Sequence, residues 1–92
     1  MTARNALTFP NQSRSYDARG SRVRFWAYDE ALEIPFFVDA SALCRIDPKA
    51  TGDEVGLLNA FDLYREQICK AANRIYSRRS RGSYTLTAAD MQ

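Results

Sequence analysis

From Arg22 to Tyr28, Val23, Phe25 and Ala27 alternate with Arg22, Arg24, Trp26 and Tyr28. That is the two-residue period of a strand, whose successive side chains project to opposite faces. The segment Ala31 to Val38 repeats the pattern, with Leu32, Ile34, Phe36 and Val38 on one face and Glu33, Pro35 and Phe37 on the other. Asp29-Glu30 lies between them as a turn, although it is not the Asn-Gly or Asp-Gly pair that two-residue hairpins prefer. A two-residue loop at 29–30 predicts Phe25 opposite Ile34, Trp26 opposite Glu33 and Arg24 opposite Pro35. Val23, Phe25, Ala27, Leu32, Ile34, Phe36 and Val38 then form one core face. A slip of one residue would set the two apolar series on opposite faces, so the periodicity supports this register. Pro35 has no N–H, so its nitrogen is expected to face an edge or a bulge. Upstream, "SYDARGSRVRF" reads as a short strand, a Gly20-containing turn and the start of the second strand.

After Val38 the period changes. Asp39 is a good N-cap for a short helix over 40–46 with Ala42, Leu43 and Ile46 inward, and Asp47-Pro48 ends it. Thr51 and Glu54 stand three apart, as in a capping box. From there the spacing predicts one long helix over 52–80. Its apolar stripe is Val55, Leu57, Leu58, Phe61, Tyr64, Ile68, Ala71, Ala72, Ile75 and Tyr76, with Gly82 as the C′ residue. "SYTLT" gives a last strand with Tyr84 and Leu86 inward, and Thr87 with Asp90 would cap a final turn. The order is β-β-β-α-α-β: an α+β domain in which a small, mostly antiparallel sheet carries the long helix across its apolar face.

Ninety-two residues suit one compact domain spanning 1–92, with residues 1–12 as an arm that is either flexible or packed on the sheet. A chain of this size buries only about 60–65% of its unfolded surface, so its core is thin. It has no signal-peptide pattern and no membrane-spanning run, which makes a cytoplasmic protein the expectation. Cys44 and Cys69 then read as reduced, small hydrophobes inside helices. Histidine is absent, and no CxxC, HExxH, Walker loop or GxGxxG occurs. Neither a metal site, a cofactor site nor a nucleophile–base pair has support, and a non-enzyme is expected. The acids Asp29, Glu30 and Glu33 read as a solvated hairpin tip.

The full chain, from "LTFPNQSRSYD" through "VRFWAYDEALEIPFFVDASAL" to "YSRRSRGSYTLTAADM", resembles the small bacterial proteins of domain-of-unknown-function family 1488. The aromatic hairpin and the closing "YTLTAAD" carry most of the likeness. The resemblance implies a compact α+β domain that occurs as a complete small bacterial protein, and it brings no established activity or functional residues.

Two surfaces remain as candidates. The second hairpin face gathers Arg24, Trp26, Tyr28, Glu33 and Phe37. The arm Leu7-Thr8-Phe9-Pro10 folds over it, or it meets a protein, most simply a second copy in a dimer, or it stacks nucleobases. The charge pattern supplies the other surface. Five arginines stand against Asp17 in residues 1–24, nine acids against three bases in 29–66, and Lys70, Arg74, Arg78, Arg79 and Arg81 without an acid in 70–81. Cations at a helix C-terminus complement its dipole. Four arginines in eight residues exceed that need and suggest phosphate contacts by Arg74, Arg78, Arg79 and Arg81. The reading favoured at this stage is a binding module acting through the aromatic face, with nucleic-acid binding through the basic cluster as the alternative.

Overall fold

The structure, a computed structural model, describes residues 7–9, 14–76 and 82–91. Its elements are β1 (Arg14–Asp17), β2 (Arg22–Asp29), β3 (Leu32–Asp39), α1 (Ala40–Ile46), α2 (Glu54–Leu63), α3 (Arg65–Ile75), β4 (Tyr84–Leu86) and a 3₁₀ turn (Ala88–Asp90). The sheet order is β1-β2-β3-β4. The first three strands are antiparallel and β4 joins β3 in parallel, so the sheet is mixed. The helices bury their apolar residues with Val23, Phe25, Ala27, Ile34, Phe36 and Val38 in one cluster. The α+β class and the predicted core face therefore hold, with Leu32 as the exception.

The register does not hold. Phe25 pairs with Phe36, Trp26 with Pro35, Ala27 with Ile34 and Asp29 with Leu32. The turn is Glu30-Ala31, one residue later than expected, with Glu30 in the left-handed region at φ 59°. The shift is two residues in pairing, and a two-residue shift leaves every side chain on its face. Periodicity excludes a slip of one but is blind to a slip of two. The observed register stacks the Phe25 and Phe36 rings at 5.4 Å and leaves Leu32 at the hairpin tip, 62% exposed. Tyr28 turns its N–H and C=O away from β3, toward Thr8. Two residues along the ladder, the Trp26–Pro35 pair repeats that orientation. The Pro35 nitrogen thus points away from β2, past the end of β4, whose pairing starts opposite Phe36. That is the edge-like position it was expected to need.

α1 starts as expected, with Asp39 accepting from Ala42 N at 2.9 Å. α2 does not use the Thr51–Glu54 box. Its N-cap is Asp53, which accepts from Gly56 N at 3.0 Å and from the Thr51 hydroxyl at 2.6 Å. The single long helix is in fact two. Tyr64 (φ −113°, ψ 26°) interrupts it, and α3 ends at Ile75, with Tyr76 extended at ψ 139°. The apolar stripe keeps a helical period through Tyr64, so no Pro or Gly marks the break. The bend lets α2 pack on β1, β2 and α1 while α3 packs on β4. Val55, expected inward, is 66% exposed at the first turn of α2. Gly82 (φ 89°) is not the C′ residue of the helix; it immediately precedes the approach to β4. At the C-terminus Leu86 is buried, and the Thr87–Asp90 box is present, with Thr87 N donating to Asp90 Oδ2 at 2.9 Å.

Candidate interaction face

The outer sheet face collects the alternate residues of every strand. β1 supplies Ser15 and Asp17, β2 supplies Arg22, Arg24, Trp26 and Tyr28, β3 supplies Glu33, Pro35, Phe37 and Asp39, and β4 supplies Thr85. All five residues expected on this face, Arg24, Trp26, Tyr28, Glu33 and Phe37, stand on it together. Trp26, Tyr28 and Phe37 are half-buried and belong to no core cluster.

Arginines cover the rings. The Arg22 guanidinium lies 3.7 Å above the centre of Phe37. Arg24 lies 6.0 Å from the same ring and 5.1 Å from that of Trp26. The result is a ladder, Arg22–Phe37–Arg24–Trp26, running diagonally across two strands. Such contacts contribute about 0.5–1 kcal/mol each at exposed sites. Arg22 is further fixed by its Nε, which donates to Asp17 Oδ2 at 2.9 Å. That hydrogen bond, helped by the Arg19 backbone N–H, lowers the Asp17 carboxyl below its ordinary value. Beside the ladder lies a shallow concavity of about 350 Å³ lined by Ser15, Asp17, Arg19, Arg22, Arg24 and Phe37, among others. Asp17 and Arg22 were not among the expected contact residues. Their link depends on cross-strand pairing in the β1–β2 hairpin, which sequence spacing shows only once the register is known.

Of the arm, the described residues Leu7, Thr8 and Phe9 do not cover this face. Thr8 and Tyr28 exchange backbone hydrogen bonds at 2.9 and 2.8 Å, so Thr8 lies along the β2 edge. Leu7 and Phe9 flank Thr8 and turn to the opposite side. Both pack on the core, with the Phe9 ring 6.4 Å from that of Phe25, and Leu7 N donates to Asn73 Oδ1 at 3.0 Å. Of the three alternatives for this face, cover by Leu7-Thr8-Phe9-Pro10 is not met by its described residues: the alternation that seats Thr8 opposite Tyr28 sends Leu7 and Phe9 inward. Pro10 lies outside the described residues.

The basic cluster is placed only in part. Lys70 and Arg74 are exposed on α3, and Arg74 Nη2 donates to the Asp90 carbonyl, holding the 3₁₀ turn. Arg78, Arg79 and Arg81 lie outside the described residues. The acids of the hairpin tip part company: Asp29 accepts from the Tyr76 hydroxyl at 2.6 Å, whereas Glu33 stands exposed on the outer face. Cys44 and Cys69 are free, half-buried thiols, and burial pushes the Cys69 thiol up. Among the described residues, no three His, Cys, Asp or Glu side chains gather as a metal site would require, and no helix is long and apolar enough to cross a membrane.

Comparison with curated proteins finds no match. Among solved structures, the chain is similar to a protein of unknown function from the DUF1488 family of Shewanella loihica PV-4. The two share 16% sequence identity and a TM-score of 0.74, over 94% of each chain. At that identity the likeness concerns the fold. The family model described as "Protein of unknown function (DUF1488)" matches residues 7–87, and with nearly the whole chain inside that match the protein belongs to the DUF1488 family.

Proposed function

We propose that this protein is a binding module whose contact surface is the outer sheet face, centred on Trp26 and Phe37. One observation carries the reading. The helices, with Leu7 and Phe9 of the arm, pack on one side of the sheet, while Trp26 and Phe37 stand on the other, dressed by arginine side chains. Rings and guanidinium groups held flat by neighbours lose little conformational freedom when a partner covers them, and Trp, Tyr and Arg dominate binding hot spots for that reason. Among the described residues of this face nothing positions a reacting group, so the reading is binding without catalysis.

The test compares proteins retained from a lysate of the source cells by the wild type and by a Trp26→Ala, Phe37→Ala variant whose fold is checked by circular dichroism. The expected result is a defined protein, a second copy of the chain included, that is held by the wild type, resists about 0.5 M salt and is lost in the variant. An identical retained set for both proteins would overturn the reading. Nucleic acid retained at low salt, released steeply as salt rises and lost on Arg74→Glu with Arg78→Glu would establish the alternative.

A further inference from the structure

We infer that the concavity at the β1–β2 hairpin end of the outer face is an anion site that takes a phosphomonoester group, held by Arg19, Arg24 and the Ser15 hydroxyl. It lies beside the aromatic contact surface and does not depend on a protein partner there.

Cross-strand pairing assembles the site. Ser15 of β1 stands opposite Arg24 of β2, and Arg24 opposite Phe37 of β3, so hydroxyl, guanidinium and ring share one row. The next row on this face sets Asp17 beside Arg22, and Arg19 closes the end from the hairpin turn. These side chains line the concavity of about 350 Å³. Three guanidinium groups stand there against the single carboxylate of Asp17, which leaves the described lining with an excess of two positive charges.

The arginines differ in what already holds them. Arg22 Nε donates to Asp17 at 2.9 Å and the guanidinium covers Phe37, so Arg22 supplies charge and a wall. Arg19 gives Asp17 only its backbone N–H, at 3.1 Å. Among the described residues, no oxygen accepts from the guanidinium of Arg19 or of Arg24. Arg14 and Arg74, by contrast, donate to Asp62 and to the Asp90 carbonyl. Arg24 lies 5.1 Å from the Trp26 ring and 6.0 Å from that of Phe37. Stacking on rings uses the faces of a guanidinium, whereas its N–H bonds lie in its plane. Arg24 is therefore steadied by the rings while its edge stays open to an anion, and a donor held in place loses little freedom on binding.

Charge and donor number select the ligand. A phosphomonoester carries close to two negative charges at neutral pH and offers three acceptor oxygens. It offsets the excess charge, takes paired N–H donors from Arg24, and still has acceptor capacity for Arg19 and Ser15. A carboxylate brings one charge and two oxygens. The phosphodiester of a nucleic-acid chain likewise brings one charge per phosphate. Either would leave one of the two excess cations without a counter-charge. A small phosphorylated molecule and a phosphorylated side chain present the same group.

The test follows the Arg19, Arg22 and Arg24 Nε–H signals in ¹⁵N–¹H spectra of the full chain at constant ionic strength and about pH 7. Inorganic phosphate is added in one titration and a short phosphoserine peptide in another. The expected result is saturating shifts of the Arg19 and Arg24 signals, half-complete by about 10 mM for at least one ligand. Arg24→Gln should weaken binding about tenfold or more. Arg19→Gln alters only the exposed turn and should weaken it about threefold or more. Tighter binding of the peptide than of phosphate identifies a phosphorylated protein segment as the source; equal or weaker binding identifies a small phosphorylated molecule. The inference is overturned if neither ligand is half-bound by about 10 mM, or if both variants bind as the wild type does. It is also overturned if acetate, or an oligonucleotide without terminal phosphates, saturates the same signals as readily. Failure here, with a partner still lost from the lysate comparison on Trp26→Ala and Phe37→Ala, removes the phosphate site and leaves the contact surface standing.

Discussion

The Tyr76 hydroxyl donates to Asp29 Oδ2 at 2.6 Å, joining the first residue beyond α3 to the last residue of β2. The Tyr76 ring is buried and stands 5.6 Å from that of Tyr84 at the head of β4. One side chain thus ties the helix end to both strands that border its approach. Its extended backbone is what stops α3 short of the length its periodicity predicts. Tyr76→Phe keeps the ring and loses the hydrogen bond to a carboxylate, and should lower unfolding stability by about 1.5–3 kcal/mol. Tyr76→Ala also empties the ring site and should cost about 3–5 kcal/mol. Urea titrations of both variants check this, and an unshifted midpoint for Tyr76→Phe would show that the bond contributes nothing net.

Gly56 tests packing against propensity. It lies in the first turn of α2, where Gly→Ala ordinarily gains up to about 1 kcal/mol. Here a Cβ would run into the Thr51 side chain and carbonyl oxygen and come within 2.8 Å of Asp53 Oδ1. The segment that caps the helix occupies the space. Gly56→Ala should therefore destabilise by about 1–3 kcal/mol. A raised melting temperature would mean that the Thr51–Asp53 cap yields without cost.

What was legible in the chain follows from what each kind of pattern can distinguish. The alternation of Val23, Phe25 and Ala27 against Arg24, Trp26 and Tyr28 assigns each residue to a face, and each assignment holds in the sheet. It cannot separate registers two residues apart, because parity is unchanged. The turn at Glu30-Ala31 uses a glutamate in a conformation that glycine or asparagine favours, so turn chemistry pointed to the wrong pair. The break at Tyr64 leaves the apolar stripe in phase and is invisible to periodicity. The outer face could be read as aromatic and cationic, but setting Arg24 beside Phe37, with Arg22 reaching the same ring diagonally, needs the true register.

Cys69 faces opposing influences. Burial raises its thiol pKa, and the charge of Arg65 lowers it by less. The thiolate is the reactive species, so in the folded Cys44→Ala variant Cys69 should be alkylated by iodoacetamide more slowly than in the same protein unfolded in urea. The ratio should persist as pH rises toward that of free thiols. Equal rates would mean that Cys69 is neither shielded nor desolvated.

The Arg14–Asp62 pair ties the first strand to α2 and gives stability a pH dependence of definite sign. Arg14 Nε and Nη2 donate to the two Asp62 oxygens at 2.9 and 2.8 Å, and Arg65 stands 3.6 Å away. The Arg14 hydrogen bonds hold the Asp62 carboxyl below its ordinary value. A carboxyl lowered by folding adds stability that is complete above its unfolded pKa, near 3.9, and is lost as pH falls through the lower folded value. Asp17, held down by Arg22, and Asp53, held down by the Thr51 hydroxyl, act in the same direction. Stability should therefore be level above about pH 5 and decline below about pH 4. Asp62→Asn should cost at most about 1 kcal/mol near neutrality, because the pair is partly solvated. The gap to wild type should shrink as pH drops below about 4, where protonation removes from the wild type what the substitution has already removed. Urea midpoints at about pH 7 and about pH 3 decide it: a gap that stays constant would show that the ion pair does not couple β1 to α2.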